Sequence, residues 1–214
     1  MPLPPAPWTI TLKRINHHLH RLTGKRFIAQ WSWINARRHA KQIKSHLAKH
    51  PVDVLLSITV DQPIAALKDS PVPVIHHSDT TSHGIAEYYR SFSNLWWFSR
   101  RSGDKITREA IRNANLSVYQ ARWSADSAIN EYDVDPEHVH VLPYGANLSN
   151  PPSRDEAIDC TSRDKCRLLW IGVDWDRKRG QLTYDTMVEL NRRGIESEML
   201  VVALSRPNPA ITPT

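Results

Sequence analysis

Three consecutive cations, Arg177, Lys178 and Arg179, stand between an apolar run that ends at Gly172 and a helical pattern that begins after Gly180. Glycine lets a backbone come close to a ligand, and a helix N-terminus with cations beside it suits a diphosphate. The competing reading is a hydrated turn whose charges meet only water. A second set of reactive side chains follows the run Val72–His77: Asp79, Thr80, Thr81 and His83 lie together after it. A carboxylate there can orient or deprotonate a hydroxyl. As an alternative, Asp79 caps the helix that starts near Ile85. The neighbours His76 and His77 project to opposite faces of a strand, so they do not ligate one metal together. His138 and His140 share a face but lack a third ligand, which leaves them as exposed side chains.

Two further stretches are weaker. In residues 121–132 Ser124 is placed to cap a helix, with Ser127 in its first turn and Trp123 packing; neither serine sits in a nucleophile elbow. In residues 141–148 a strand runs into Pro143, and Gly145 permits the positive φ of a sharp turn.

These groups need a scaffold, and the sequence describes one. Apolar runs rich in β-branched residues occur at 53–60, 72–77, 114–121, 138–145, 166–172 and 198–204. Helical patterns lie between them at 64–68, 85–92, 105–113, 123–132 and 182–193. Strand alternating with helix across short loops predicts an α/β fold with parallel βαβ units in a doubly wound sheet. Ligands of such sheets bind at the carboxyl ends of the strands, where the groups above fall. Ahead of the first strand, Leu12, Ile15, Leu19 and Leu22 form one helical stripe, and Trp33, Ala36, Ala40, Ile43 and Leu47 form another. Both stripes are expected to pack on the core. The polar, aperiodic stretch 148–165 reads as a linker. The organisation predicted is therefore an N-terminal Rossmann-like domain over 1–147, the linker, the start of a second domain over 166–204, and a disordered tail over 205–214.

Charge is distributed unevenly along these 214 residues. Residues 1–50 hold ten Lys and Arg and no acid, whereas the other 18 bases accompany all 22 acids. Such a segment faces phosphates, of lipid or nucleic acid, or is simply a solvated helical face. No nucleic-acid motif accompanies it. Two cysteines, Cys160 and Cys166, do not make a disulfide scaffold. With no signal peptide and no apolar run of membrane length, the expectation is a cytoplasmic protein, with residues 1–50 available for peripheral contact with the inner membrane face.

Taken together, residues 123–148 (WSADSAINEYDVDPEHVHVLPYGANL) and 167–195 (RLLWIGVDWDRKRGQLTYDTMVELNRRGI) resemble family 4 of the retaining glycosyltransferases. Residues 53–67, 72–81 and 88–95 fit the same subgroup, so the resemblance covers roughly 50–204. It implies a GT-B fold and transfer of a sugar from a nucleotide sugar to the hydroxyl of a sugar or lipid-linked acceptor. Neither a cofactor nor a metal is implied. By the same resemblance Lys178, with Arg177 beside it, contacts the donor diphosphate, and Gly172 ends the donor-side strand. Pro143, Gly145, Ala146 and Asn147 match the hinge between domains. Asp79 holds the place of a family histidine near the reacting sugar. The chain departs from the pattern where Arg179 replaces a glycine and where Val173 replaces an arginine. The family's opening strand and most of its donor domain have no counterpart here, so the resemblance implies a chain truncated at both ends. A basic phosphate-binding module and a non-catalytic remnant are the alternatives.

Overall fold

The computed structural model describes residues 9–145, 148–158 and 165–203. It divides into two compact units, 1–146 and 147–214. Both are α/β, with parallel strands and helical crossovers.

In the first unit, β1 (Leu55–Ile58), β2 (Val74–Ser78), β3 (Leu116–Tyr119) and β4 (Val139–Val141) pair in parallel in that order. The crossovers are α3 (Asp61–Ala65), then α4 (Ser82–Ile85) with α5 (Trp97–Asn113), then α6 (Arg122–Tyr132). Every crossover steps to the next strand in one direction. The described strands therefore form one progressive run, without the reversal of order that defines a doubly wound sheet.

Register explains which sheet face is buried. Leu55 and Val74 align, as do Ser57, His76, Ser117 and Val139, and this face meets the helices. Its main core joins Val74 to Ile64, Ala65 and Leu67 around α3, to Ile106 and Ala110 of α5, and to Ala40 of the helix α2 (Trp33–Leu47). A second cluster joins Tyr119 to Ile111, Ala125, Ala128 and Tyr132. Trp31 reaches this core by lying on Gly103, where an added Cβ would meet the indole at 2.5 Å. On the opposite face Leu56 and Ile58 of β1 are more than half exposed.

The two N-terminal stripes part company. In α2, which packs against α3, Ala36 and Ala40 are buried and Trp33, Ile43 and Leu47 are half-buried. Among the described residues the helix α1 (Thr9–Thr23) makes no extended packing with any other element, and its Ile15 and Leu22 are 45% and 83% exposed. It is attached by its polar edge instead. Asn16 Nδ2 donates to the Phe27 carbonyl and its Oδ1 accepts from the Phe27 N–H, both at 2.8 Å. An amphipathic pattern fixes a helix but not whether a neighbour covers it.

Two other expectations are corrected. The helical pattern of 85–92 yields only the single turn of α4 and a 3₁₀ turn at Arg90–Phe92. Between them Glu87 takes φ +61 and its carboxylate accepts the Asn94 N–H, so the chain folds back rather than continuing. The stretch read as a linker contains α7 (Arg154–Ile158). Ser153 and Glu156 form a capping box there: the Ser153 N–H and hydroxyl donate to Glu156 Oε2, and the Glu156 N–H donates back to Ser153 Oγ.

In the second unit β5 (Cys166–Ile171) and β6 (Ser197–Val202) pair in parallel across α8 (Gly180–Arg192). Trp170 is buried, whereas Leu169, Ile171, Leu200 and Val202 of the other face are about half exposed or more. Among the described residues no helix is long and apolar enough to cross a membrane. The expected tail at 205–214 lies outside the described residues.

Candidate functional site

The reactive groups fall into two clusters, one in each unit.

In the second unit the turn after β5 is built on tryptophan. Trp170 and Trp175 pack with ring centroids 4.9 Å apart, and Trp170 Nε1 donates to the Lys178 carbonyl. A Cβ on Gly180 would meet Trp175 at 2.2 Å, so the first residue of α8 is glycine because an indole lies on it. The missing side chain of Gly172 has a similar use: a Cβ there would meet Trp170 at 2.9 Å and Lys178 Cγ at 3.2 Å. Its space is filled by protein rather than left for a ligand. Asp174 closes the turn, its Oδ1 accepting the Arg177 N–H and its carbonyl accepting the Lys178 N–H.

The three cations are thereby separated in role. Arg177 leans toward the Asp174 carboxylate, at 4.0 Å. Lys178 and Arg179 are exposed and have no ion-pair partner among the described residues. Arg179 is the residue before the helix and takes the left-handed conformation, φ +57 and ψ 40. That is the position where the resemblance expects glycine, and arginine adopts it at a cost of roughly 1–2 kcal/mol. The turn thus carries two unpaired cations beside the positive end of a helix of 13 residues.

In the first unit the loop after β2 is held by hydroxyls. Thr81 Oγ1 accepts the Gly84 N–H and lies 2.7 Å from Ser127 Oγ. Ser82 Oγ donates to Asp104 Oδ1 and lies 2.8 Å from Tyr132 Oη, which accepts the His83 N–H and donates to Asp104. Burial pushes the Tyr132 phenol well above its ordinary range, and the Asp104 charge adds to that. Ser124 Oγ donates to the Asp79 carbonyl.

These bonds correct three readings. Thr81, not Asp79, caps the helix. Ser124 does not cap α6, whose preceding residue is Ala121, and Ser127 lies beyond its first turn; both tie the helix to the β2 loop. Trp123 is 57% exposed, lying beside Gly84 rather than in the core. What remains is an exposed Asp79 carboxylate on a fixed loop at a strand's carboxyl end, with no side-chain partner among the described residues.

Tyr144, at the end of β4, lies on His77: their rings are 4.9 Å apart, with Tyr144 Oη 3.4 Å from Nδ1. Gly145 does not use a positive φ, and open space surrounds the place of its Cβ. Ala146 and Asn147 of the expected hinge lie outside the described residues, as does Cys160. His138 pairs with Asp135 at 3.7 Å, and His140 is exposed.

One group escaped the sequence reading. His76, with no exposed surface, places Nε2 2.9 Å from Asp61 Oδ1, and the Thr107 hydroxyl donates to Asp61 Oδ2 at 2.6 Å. Burial alone would push the Asp61 carboxyl up. The bond from His76, the favourable charge of that ring and the bond from Thr107 outweigh it and hold the carboxyl below its ordinary value. The visible signal was the pair His76–His77, whose inward member needs a partner; neither Asp61 nor Thr107 is marked by spacing. Among the described residues no group of three or more His, Cys, Asp or Glu is placed to hold a metal ion.

No protein-family model matches the chain, and no curated protein matches it.

Proposed function

We propose that this chain is a glycosyltransferase of the retaining, nucleotide-sugar-dependent type, with the donor's diphosphate at the turn 172–180. The observation that carries the reading is the tryptophan-packed turn, which leaves Lys178 and Arg179 unpaired at the start of α8. Fixed positive charge at that point stabilises a leaving diphosphate without reorganisation as charge develops on it. In the transfer, the bond between the sugar's anomeric carbon and the diphosphate oxygen breaks. A bond from that carbon to the acceptor oxygen forms on the same face, and the acceptor hydroxyl passes its proton to the departing diphosphate oxygen. The chemistry needs an acceptor-side carboxylate or similar group to orient the hydroxyl, and Asp79 supplies one at the carboxyl end of β2. The GT-B arrangement, with a hinge at Pro143–Asn147, belongs to this proposal, as does a cytoplasmic location.

The test is a titration of isotope-labelled protein with inorganic pyrophosphate and with nucleoside diphosphates, read by amide NMR. Shifts centred on Lys178, Arg179, Gly180 and Gln181 support the reading, as does their loss in Lys178→Ala. Saturating shifts elsewhere in the chain, or none in this turn, refute it.

A second reading, a non-catalytic α/β module, is favoured by one observation. The sheet face carrying Leu169, Ile171, Leu200 and Val202 is uncovered, which leaves the walls of a donor pocket unbuilt among the described residues. Transfer of sugar from any of a panel of nucleotide sugars would exclude it.

A further inference from the structure

The acid-free segment and the uncovered helix are the same part of the molecule. On α1, Leu12, Ile15, Leu19 and Leu22 lie within one third of the helix circumference, while Arg14, His17 and Arg21 lie on the other side of it. Leu12 and Leu19 are half-buried, whereas Ile15 and Leu22 are exposed. A solvated face would explain the cations but not the exposed Ile15 and Leu22.

The polar edge of α1 is what attaches it. Besides the two hydrogen bonds between Asn16 and the Phe27 backbone, Arg26 reaches His20 Nε2 at 2.7 Å. The segment that receives these bonds continues the same chemistry. Phe27 packs toward Phe98 with centroids 6.5 Å apart, and Phe98 is 47% exposed beside Trp97, which is 72% exposed. Lys25 Nζ stands 5.1 Å over the Trp96 ring, which stacks on Phe98. The unit therefore presents an unpacked apolar stripe, flanking cations and an exposed tryptophan, all joined through residues 25–27.

We propose that α1, with Trp97 and Phe98, is a docking face for an anionic lipid bilayer. The occupant follows from charge. Residues 1–50 carry ten Lys and Arg and no acid, so a second copy of the same face would bring like charges together. A nucleic acid would neutralise the cations but leave Leu22, Ile15 and Trp97 in water. An anionic bilayer satisfies both: headgroup phosphates meet the cations, the stripe enters the acyl boundary, and the indole sits at the interface. This proposal is independent of the sugar-transfer reading.

The experiment is cosedimentation of the full chain with vesicles, of phosphatidylcholine alone and of phosphatidylcholine mixed with phosphatidylglycerol, at low and raised salt. Binding to the anionic vesicles only, weakened by salt, is the expected result. Arg14→Ser with Arg21→Ser lowers the partition roughly thirtyfold, from the known worth of two basic side chains near an anionic surface. Ile15→Ser with Leu22→Ser also lowers it, and Trp97→Ser removes a vesicle-induced blue shift of the fluorescence. All replace exposed side chains, and circular dichroism confirms that each variant folds. Four outcomes overturn the proposal: no binding to anionic vesicles, equal binding to both kinds, undiminished binding by the Ile15/Leu22 variant, or a dimer in sedimentation velocity that the same variant dissolves. Tight binding of a duplex oligonucleotide that anionic vesicles fail to displace also overturns it, in favour of a nucleic-acid face.

Discussion

His76 on β2 and Asp61 at the start of α3 form a hydrogen-bonded pair at 2.9 Å inside the first unit, and Thr107 of α5 holds the second carboxylate oxygen. Three elements are thereby fixed around one carboxylate. Because its folded-state pKa lies below the unfolded value, Asp61 contributes stability that is fully present above the unfolded value, about pH 4. That contribution is lost as the pH falls through the folded value. Denaturant midpoints measured from pH 7 down to pH 2 should drop steeply below pH 4 for the native protein. The drop should be shallower for Asp61→Asn, and identical slopes would show that another carboxylate governs acid unfolding.

Removing one partner of this pair should cost more than removing the bond alone. His76→Ala leaves a largely buried carboxylate without its donor and opens a cavity, so about 3 kcal/mol of stability should be lost. Thr107→Val keeps shape and removes one donor, for about 1–2 kcal/mol. A chemical-denaturation series that ranks Thr107→Val as the worse of the two contradicts the arrangement described.

Gly103, Gly172 and Gly180 carry indoles, whereas Gly145 is free. Gly103→Ala drives a methyl into Trp31 and should cost about 1–3 kcal/mol of overpacking. Gly180→Ala meets Trp175 even more closely and should displace the turn that presents Lys178. Gly145→Ala meets nothing and has no positive φ to strain, so its stability should stay within about 0.5 kcal/mol of the parent. Thermal melts of the three variants decide this, and a destabilised Gly145→Ala would mean that residues 142–145 pack differently.

If the chain transfers sugar, Lys178→Ala should remove about 2–4 kcal/mol of transition-state stabilisation, the range for one preorganised contact to developing charge. Arg177→Ala should do less, because its guanidinium already leans on Asp174. Comparing kcat/KM for the two variants checks the assignment, and unchanged turnover in Lys178→Ala removes the diphosphate from this turn.

The strands were readable because each is a short, β-branched apolar run closed by a turn residue, and all six appear where expected. The stripe of α2 was readable for the same reason of period. The stripe of α1 has the same period, yet its Ile15 and Leu22 are exposed, since periodicity reports that a face is apolar and not that anything covers it. Glu87 shows a second limit: its left-handed φ is stabilised by a bond to Asn94, and nothing local announced it. The capping box Ser153–Glu156 was in plain view, and the Pro-Pro pair before it hid the short helix that it starts. At the candidate site the positions of Asp79 and Lys178 came from the order of motifs. The reason for Gly180 did not, because the indole that needs it is five residues earlier in a turn.

The β2 loop supplies the last prediction. Tyr132 Oη accepts the His83 N–H, meets Ser82 and donates to Asp104, all from the end of α6. Tyr132→Phe keeps the buried ring and removes every one of those bonds. It leaves Asp104 short of a donor and the His83 N–H without its acceptor, for about 1–3 kcal/mol. The consequence should be local: the loop from Asp79 to Gly84 loses the tie at its far end while Ser124 still holds Asp79. Amide exchange should therefore accelerate most at His83, which loses its acceptor, and less at Gly84, which Thr81 still caps. If Asp79 orients an acceptor hydroxyl, the same variant raises the acceptor KM more than it lowers kcat, since the carboxylate is still present but less fixed. Unchanged exchange at His83 would show that the phenol is not what holds this loop, and that Asp79 owes its position to Ser124 alone.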